Sequence, residues 1–200
     1  MKKFLKINRY LKSRQVVDFS QVIQSDSCCY FKLWNLSGQL IGLQRHSPQG
    51  IKVSKSNETS RKLGSKDLDS IKYLTYVSPG QIGVFGLHTY KPNEILFITE
   101  GIFDAIMIHN AGYPAISMLS NNPKPFKSWL NTLPNYKIVI EDNDSTGKRL
   151  GKFGDVSYVT PNPYKDLNEM SQQEVDKFLH EIFNPPVFEM YNFFNCENKF

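Results

Sequence analysis

The hydrophobic rhythm of the chain changes near residue 90. Before it, residues 29–45 (CYFKLWNLSGQLIGLQR) alternate apolar and polar side chains about Ser37-Gly38, the period of a half-buried antiparallel hairpin turned by a glycine. Residues 46–70 are polar, with scattered Ser, Asn, Lys and Gly, and read as a loop. Two more short strands are expected near 71–77 and 81–87, paired across the turn tripeptide Ser78-Pro79-Gly80. From Glu94 the texture becomes short apolar runs alternating with helical stretches: EILFIT, IFDAIMIHNAG, PAISML, PFKSWLNTL, YKIVIE and, after a loop, DVSYVT. The apolar runs are too short for helices and too continuous for one-sided strands, so they mark strands buried on both faces of a parallel sheet. Gly112-Tyr113-Pro114 closes the first helix with glycine at C′ and proline beyond.

Past Asp166, Ser171 and Glu174 form a capping-box pattern, and Val175, Phe178, Leu179 and Ile182 share one face of the helix that follows. The segment from Pro185 carries five aromatic residues and either folds back on the body or docks on a partner. Together these elements predict an α/β fold: a Rossmann-like parallel sheet flanked by helices, preceded by a small antiparallel β-rich basic module. The expected division is 1–90 for the basic module, 91–170 for the α/β unit, and 171–200 for the C-terminal helix and aromatic tail.

Composition adds bounds. With 40% hydrophobic residues in 200, a true core is expected. No apolar run approaches the roughly 18 residues of a membrane span, and MKKFLKINRYLKSR alternates basic and apolar residues without a signal-peptide cleavage site, so a cytoplasmic protein with no membrane partner is expected. Cys28 and Cys29 are adjacent and Cys196 is remote, which argues against a disulfide framework. The absence of any CxxC pair and the isolation of His46, His88, His109 and His180 argue against zinc. The net charge of +5 suits a polyanionic partner, and the basic excess concentrates in residues 1–72.

The carboxylates carry the candidate chemistry. Glu100 directly follows EILFIT and precedes Gly101 and a helix, which places it at the carboxyl end of a parallel strand, the ligand-binding edge of open α/β sheets. Asp142 occupies the same position after YKIVIE, and Asp144 follows two residues later. Acids converging on one crevice repel one another unless some are protonated or a cation is bound, and magnesium suits oxygen ligands shared with phosphate. Residues 141–147 also suit a solvated turn, since Asp and Asn favour turns; the equivalent placement of Glu100 favours the metal site.

TEGIFDAI (99–106) resembles the EGxxD motif of Toprim domains, and EDNDSTGK resembles their DxDxxG motif. KDLNE at 165–169 is similar to a run that follows Toprim in phage primase-helicases, while LIGLQR (40–45) and IKYL (71–74) resemble the basic subdomain that precedes it in bacterial and phage primases. The similarity spans roughly residues 30–170. It implies that Glu100 lies near the reacting phosphate as a catalytic residue and that Glu100, Asp142 and Asp144 hold Mg2+, with Mn2+ as a substitute. Asp104, one helical turn on, either joins the acids as a chemical participant or orients the loop, and Asp166 is a further possible metal ligand. Asn168 and Glu169 equally suit the start of the C-terminal helix.

The resemblance further implies template-directed synthesis of short RNA primers in DNA replication, with single-stranded DNA and nucleoside triphosphates as substrates and a replicative helicase as partner. Arg45 and Lys72, and then Lys55 and Lys148, are the expected nucleotide- and strand-binding cations, with Tyr73 and Trp34 available for stacking or for the core. Two departures stand out. Only STGKRLGKFG separates Asp144 from the next strand, so the helix usual there is short or absent, and the chain carries neither a zinc-binding cysteine set nor a Walker A motif. The alternatives are a Toprim metal-dependent nuclease or nicking enzyme, and a non-catalytic module that binds single-stranded DNA or recruits a helicase.

Overall fold

The protein is described here from a computed structural model, which places residues 2–52, 70–81, 83–120, 123–144 and 149–184. A first helix, α1 (Lys2–Ser13), leads into an antiparallel sheet of β1 (Val22–Gln24), β2 (Cys29–Trp34), β3 (Leu40–His46) and β4 (Tyr73–Val77) in that spatial order. The second sheet comprises β5 (Leu96–Thr99), β6 (Ala115–Ser117), β7 (Lys137–Glu141) and β8 (Val156–Val159), all parallel, in the order β6-β5-β7-β8. Its connections include α2 (Ile102–Asn110) and α3 (Lys127–Thr132), and α4 (Gln172–Phe183) follows β8. This is the α/β architecture expected, with an antiparallel sheet ahead of a parallel one. Among the described residues, no helix is long and apolar enough to cross a membrane.

The sequence patterns explain the elements. The central strands β5 and β7 are buried along their whole length, as continuous apolar runs require, whereas β2 alternates buried and half-buried residues. Gly38, at φ 74°, turns the β2–β3 hairpin in the left-handed region that favours glycine. Ser171 and Glu174 cap α4 reciprocally, as their spacing predicts, and Val175 and Leu179 are buried from its inner face.

The strand order takes the chain from β5 to one edge and back across it, and α2 and α3 pack into separate cores on opposite faces of the parallel sheet. On one face α2, α4, Ile7 and Leu11 of α1, and Cys29, Phe31 and Leu33 of β2 share a core with Phe97 and Ile140. Phe31 meets Phe103 edge-on at 5.4 Å and Phe85 at 5.8 Å, so an aromatic cluster joins the two sheets. The opposite face is covered by Phe126, Leu130 and Leu150.

Two expectations need correction. Among the described residues, 81–87 do not pair with 71–77: β4 pairs with β3, while Val84 bridges to Trp34 and Phe85 to Ser117 at the outer edge of the parallel sheet. Val84 and Phe85 are buried in opposite cores, a two-sided burial that β4, largely exposed and with Tyr76 open to solvent, does not offer. The N-terminal segment, read only as alternating basic and apolar residues, is a helix whose Ile7 and Leu11 fall one turn apart on its buried side. Much of the expected 46–70 loop and the aromatic segment from Pro185 lie outside the described residues.

Candidate metal and phosphate site

In the strand order β6-β5-β7-β8, the chain leaves β5 toward one edge and returns across it to β7. The crevice beyond the carboxyl ends of β5 and β7 is therefore the topological switch point, where open α/β sheets bind ligands. Glu100 follows β5 and Asp142 follows β7, so the switch point is bordered by acids.

Local hydrogen bonds fix both strand ends. After β5, Ser117 Oγ donates to the Glu100 carbonyl at 2.8 Å and Thr99 Oγ1 to the Gly101 carbonyl at 2.9 Å. Gly101 leaves room for the Asp104 carboxylate, which a Cβ there would displace. After β7, the Glu141 carbonyl accepts from Thr160 N at 3.0 Å and Thr160 Oγ1 at 3.1 Å, tying the acid loop to the exit of β8. Asn143 N donates to the Lys165 carbonyl at 2.7 Å, and the Asn143 amide reaches Asn162 Oδ1 at 2.9 Å. This clasp brings Lys165 to the acids, its Nζ lying 3.4 Å from Asp144 Oδ2.

Asp104 is 7% exposed, at the first turn of α2, and accepts from Asn168 N at 3.2 Å. This contact ties Asp104 to the 165–169 segment. Asn168 in turn donates through Nδ2 to the Arg14 carbonyl at 3.3 Å, so KDLNE is a junction between α2 and the end of α1, and Asp166 stands at the N-cap position of the short 3-10 turn Leu167–Glu169, its backbone carbonyl accepting from Glu169 N at 3.2 Å.

The electrostatics are those of acids held together against water. Burial is the first cause raising the Asp142 pKa to about 7, followed by Glu100, Asp166 and Asp144, with Lys165 opposing. Glu100 is raised by burial and by Asp144, against Lys52 and Lys165. Asp166 is raised by burial and Glu169, and Asp104 is raised well above its ordinary range by burial and then by Asp166 and Asp142. Burial pulls the Lys165 pKa down, but its bond to Asp144 and the surrounding acids outweigh that and raise it.

This donor set fits a hard cation. Asp166 Oδ1 is buried with no hydrogen-bond partner, and Asp142 carries excess proton affinity that a cation would replace. Among the described residues, no three His, Cys, Asp or Glu side chains form a ready-made metal cage. Magnesium needs none, since it is commonly held by one or two carboxylates together with waters and substrate phosphates.

The expected cations are distributed differently. Arg45 is only 6% exposed and donates to the Ile71 carbonyl at 3.3 Å, inside the antiparallel sheet. Lys72 is half-buried, its ammonium 5.7 Å from the Tyr73 ring, and Tyr73 is partly exposed. Trp34 is half-buried and donates through Nε1 to Gln21 at 3.2 Å. Lys55 and Lys148 lie outside the described residues.

Sequence reasoning missed Arg14, Lys52 and Lys165 as neighbours of the acids. Arg14 stacks 4.6 Å over Phe103 and lowers the pKa of Asp104 and Asp166, yet nothing in its local sequence separates it from other N-terminal cations. Lys165 stands within the KDLNE run and was open to detection there. A basic concavity lined by Lys124, Lys127, Arg149, Lys152 and Phe153 on the α3 face was also missed, because its cations come from two separate segments.

No protein-family profile matches the sequence, and no curated protein is similar to it in sequence. Solved structures are similar in fold. The primase fragment of the bacteriophage T7 primase-helicase matches 80% of this chain and 65% of its own, with 16% identity and a TM-score of 0.52. A DnaG primase catalytic domain bound to single-stranded DNA matches 92% of this chain and 61% of its own, with 15% identity and a TM-score of 0.53. The RNA polymerase domain of the Mycobacterium tuberculosis primase DnaG matches 94% and 68%, with 14% identity and a TM-score of 0.53. The fold is that of primase catalytic cores. This chain spans about two thirds or less of the first two structures.

Proposed function

We propose that this protein is a primase-type nucleotidyltransferase that joins ribonucleotides on a single-stranded DNA template. The observation that carries this reading is the placing of Glu100 and Asp142 at the carboxyl ends of the two strands that border the switch point, with Asp144 and Asp166 beside them. The likeness in fold to primase cores supports it.

In this reading Asp142, Asp144 and Asp166 hold Mg2+, with Mn2+ as a substitute, and Glu100 faces the reacting phosphate. The metal, when bound, neutralises the triphosphate and the leaving pyrophosphate. The residues do the positioning. Lys165 offsets the acid charge, and Lys52 beside Glu100 supplies a cation for an incoming phosphate. Asp104 fixes the 165–169 segment through Asn168 N, and the Arg14 charge nearby favours its ionised form. Lys72 and Tyr73, with Lys55 and Lys148, are proposed contacts to template and nucleotide. A helicase is the proposed partner, consistent with the T7 fragment belonging to a primase-helicase.

The test is incubation with single-stranded template, four ribonucleoside triphosphates and Mg2+, alone and with a replicative helicase. Short RNA products support the reading. Template cleavage would instead indicate a nuclease, and strand binding without either reaction a non-catalytic module.

A further inference from the structure

The concavity on the α3 face is large, about 580 Å³, and its rim is basic: Lys124 lies on the 3-10 turn before α3 and Lys127 at the start of α3, Arg149 and Lys152 on the segment that crosses to β8, and Phe153 is in the wall. Four other described lysines stand against carboxylates: Lys91 with Glu94, Lys137 with Asp155, Lys165 with Asp144 and Lys177 with Glu181. None of the four rim cations makes an ion pair with a described residue, and all four are exposed. Like charges gathered around one hollow repel, and an anion there relieves the repulsion.

We propose that this concavity is a second grip for nucleic acid, holding the phosphodiester backbone of a single strand on the face of the parallel sheet opposite the antiparallel module. Three features select a strand over a lone phosphate. The volume lies within the range of organic ligand sites and far exceeds one phosphate group. The cations are spread over two elements, as a chain of phosphates needs. Phe153 is half-buried against the core that contains Phe126, whose ring meets Trp129 edge-on at 6.3 Å, so a firm aromatic wall is available for a base. The location connects it to the acids, because the chain that carries Asp144 runs on to Arg149 in the wall. Binding here does not require the acids to be catalytic.

The test uses the full chain, a fluorescein-labelled single-stranded oligodeoxynucleotide of about 12 nucleotides, EDTA to silence the acid site, and anisotropy across a salt series. Each phosphate contact on single-stranded DNA contributes about 0.7 to the slope of log K against log salt, so the variant Lys124→Gln/Lys127→Gln/Arg149→Gln/Lys152→Gln is expected to flatten that slope by up to about 2.8 and to weaken binding at least tenfold at low salt. Phe153→Leu is expected to weaken binding a few-fold with an unchanged slope. The control Lys91→Gln/Lys177→Gln, at sites already paired with acids, is expected to leave both unchanged. If circular dichroism shows that the fourfold variant is misfolded, the four single variants replace it, each lowering the slope by about 0.7. The proposal is overturned if these variants bind the strand as the wild type does, if the control flattens the slope equally, or if only binding of labelled free nucleoside triphosphate is lost.

Discussion

Lys165 holds Asp144: its ammonium lies 3.4 Å from Oδ2, so a built-in cation already neutralises part of the acid loop. Both side chains are partly exposed, so the pair is worth no more than about 0.5–1 kcal/mol. A divalent ion must compete with it. Lys165→Met is therefore expected to tighten Mn2+ binding about two- to fivefold at about pH 8.5, where the acids are ionised, as read by calorimetry. At lower pH the same variant is expected to move the Asp142 titration above its value near 7, because Lys165 is the cation that lowers it. Weaker metal binding at high pH would mean that Lys165 organises the site instead of competing for it.

Asp142 costs the metal-free fold stability at neutral pH. Its pKa is about 7 in the folded protein and about 3.9 in an unfolded chain, so between those values the folded state binds more protons. The penalty is absent below about pH 4 and grows as pH rises through the window. Asp142→Asn is expected to exceed wild type in stability by roughly 2 kcal/mol at about pH 8 in EDTA, a figure already discounted for water around a half-buried carboxyl. The gap should close near pH 4. Urea unfolding at the two pH values reads it, and a gap that widens on acidification would contradict the assignment.

His46 has the opposite sign. It is 1% exposed, stacked on Tyr10 at 5.5 Å and packed against Phe103, and burial, then Lys72 and Arg14, push its pKa down to about 3. The unfolded chain, with a histidine near 6.5, binds the extra proton between those values, so this contribution is complete above about pH 6.5 and is lost as pH falls. His46→Phe removes the dependence. Relative to its own stability at about pH 7, wild type is expected to lose about 2–3 kcal/mol more than the variant by about pH 4.5. Parallel stability curves would show that His46 is protonated in the fold or open to water.

Much of this arrangement was legible in the sequence, and the reasons differ by element. The runs LFIT and KIVIE announce two-sided burial, and a strand followed directly by an acid announces its edge, so Glu100 and Asp142 could be placed without coordinates. Residues 84–85 could not, because a short apolar pair does not say which of two sheets offers it more burial. The setting of Lys165 was equally hidden: it depends on Asn143 clasping the Lys165 carbonyl across 22 residues of chain, a tertiary hydrogen bond with no local signature. Arg14 reaches Phe103 only because α1 docks on α2, and the basic concavity forms only when α3 and residues 149–153 cover the same face.

The central claim is that acids at the ends of β5 and β7 hold a metal for ribonucleotide transfer, and extension of a short RNA primer annealed to a DNA template tests it without requiring template selection. The account predicts Mg2+-dependent addition of labelled ribonucleotides by the wild type. It also predicts a fall of at least about 100-fold, close to 3 kcal/mol in the barrier, for Asp142→Asn and Asp144→Asn, with strand binding in EDTA retained. No extension by the wild type, or extension that survives both substitutions, would contradict it.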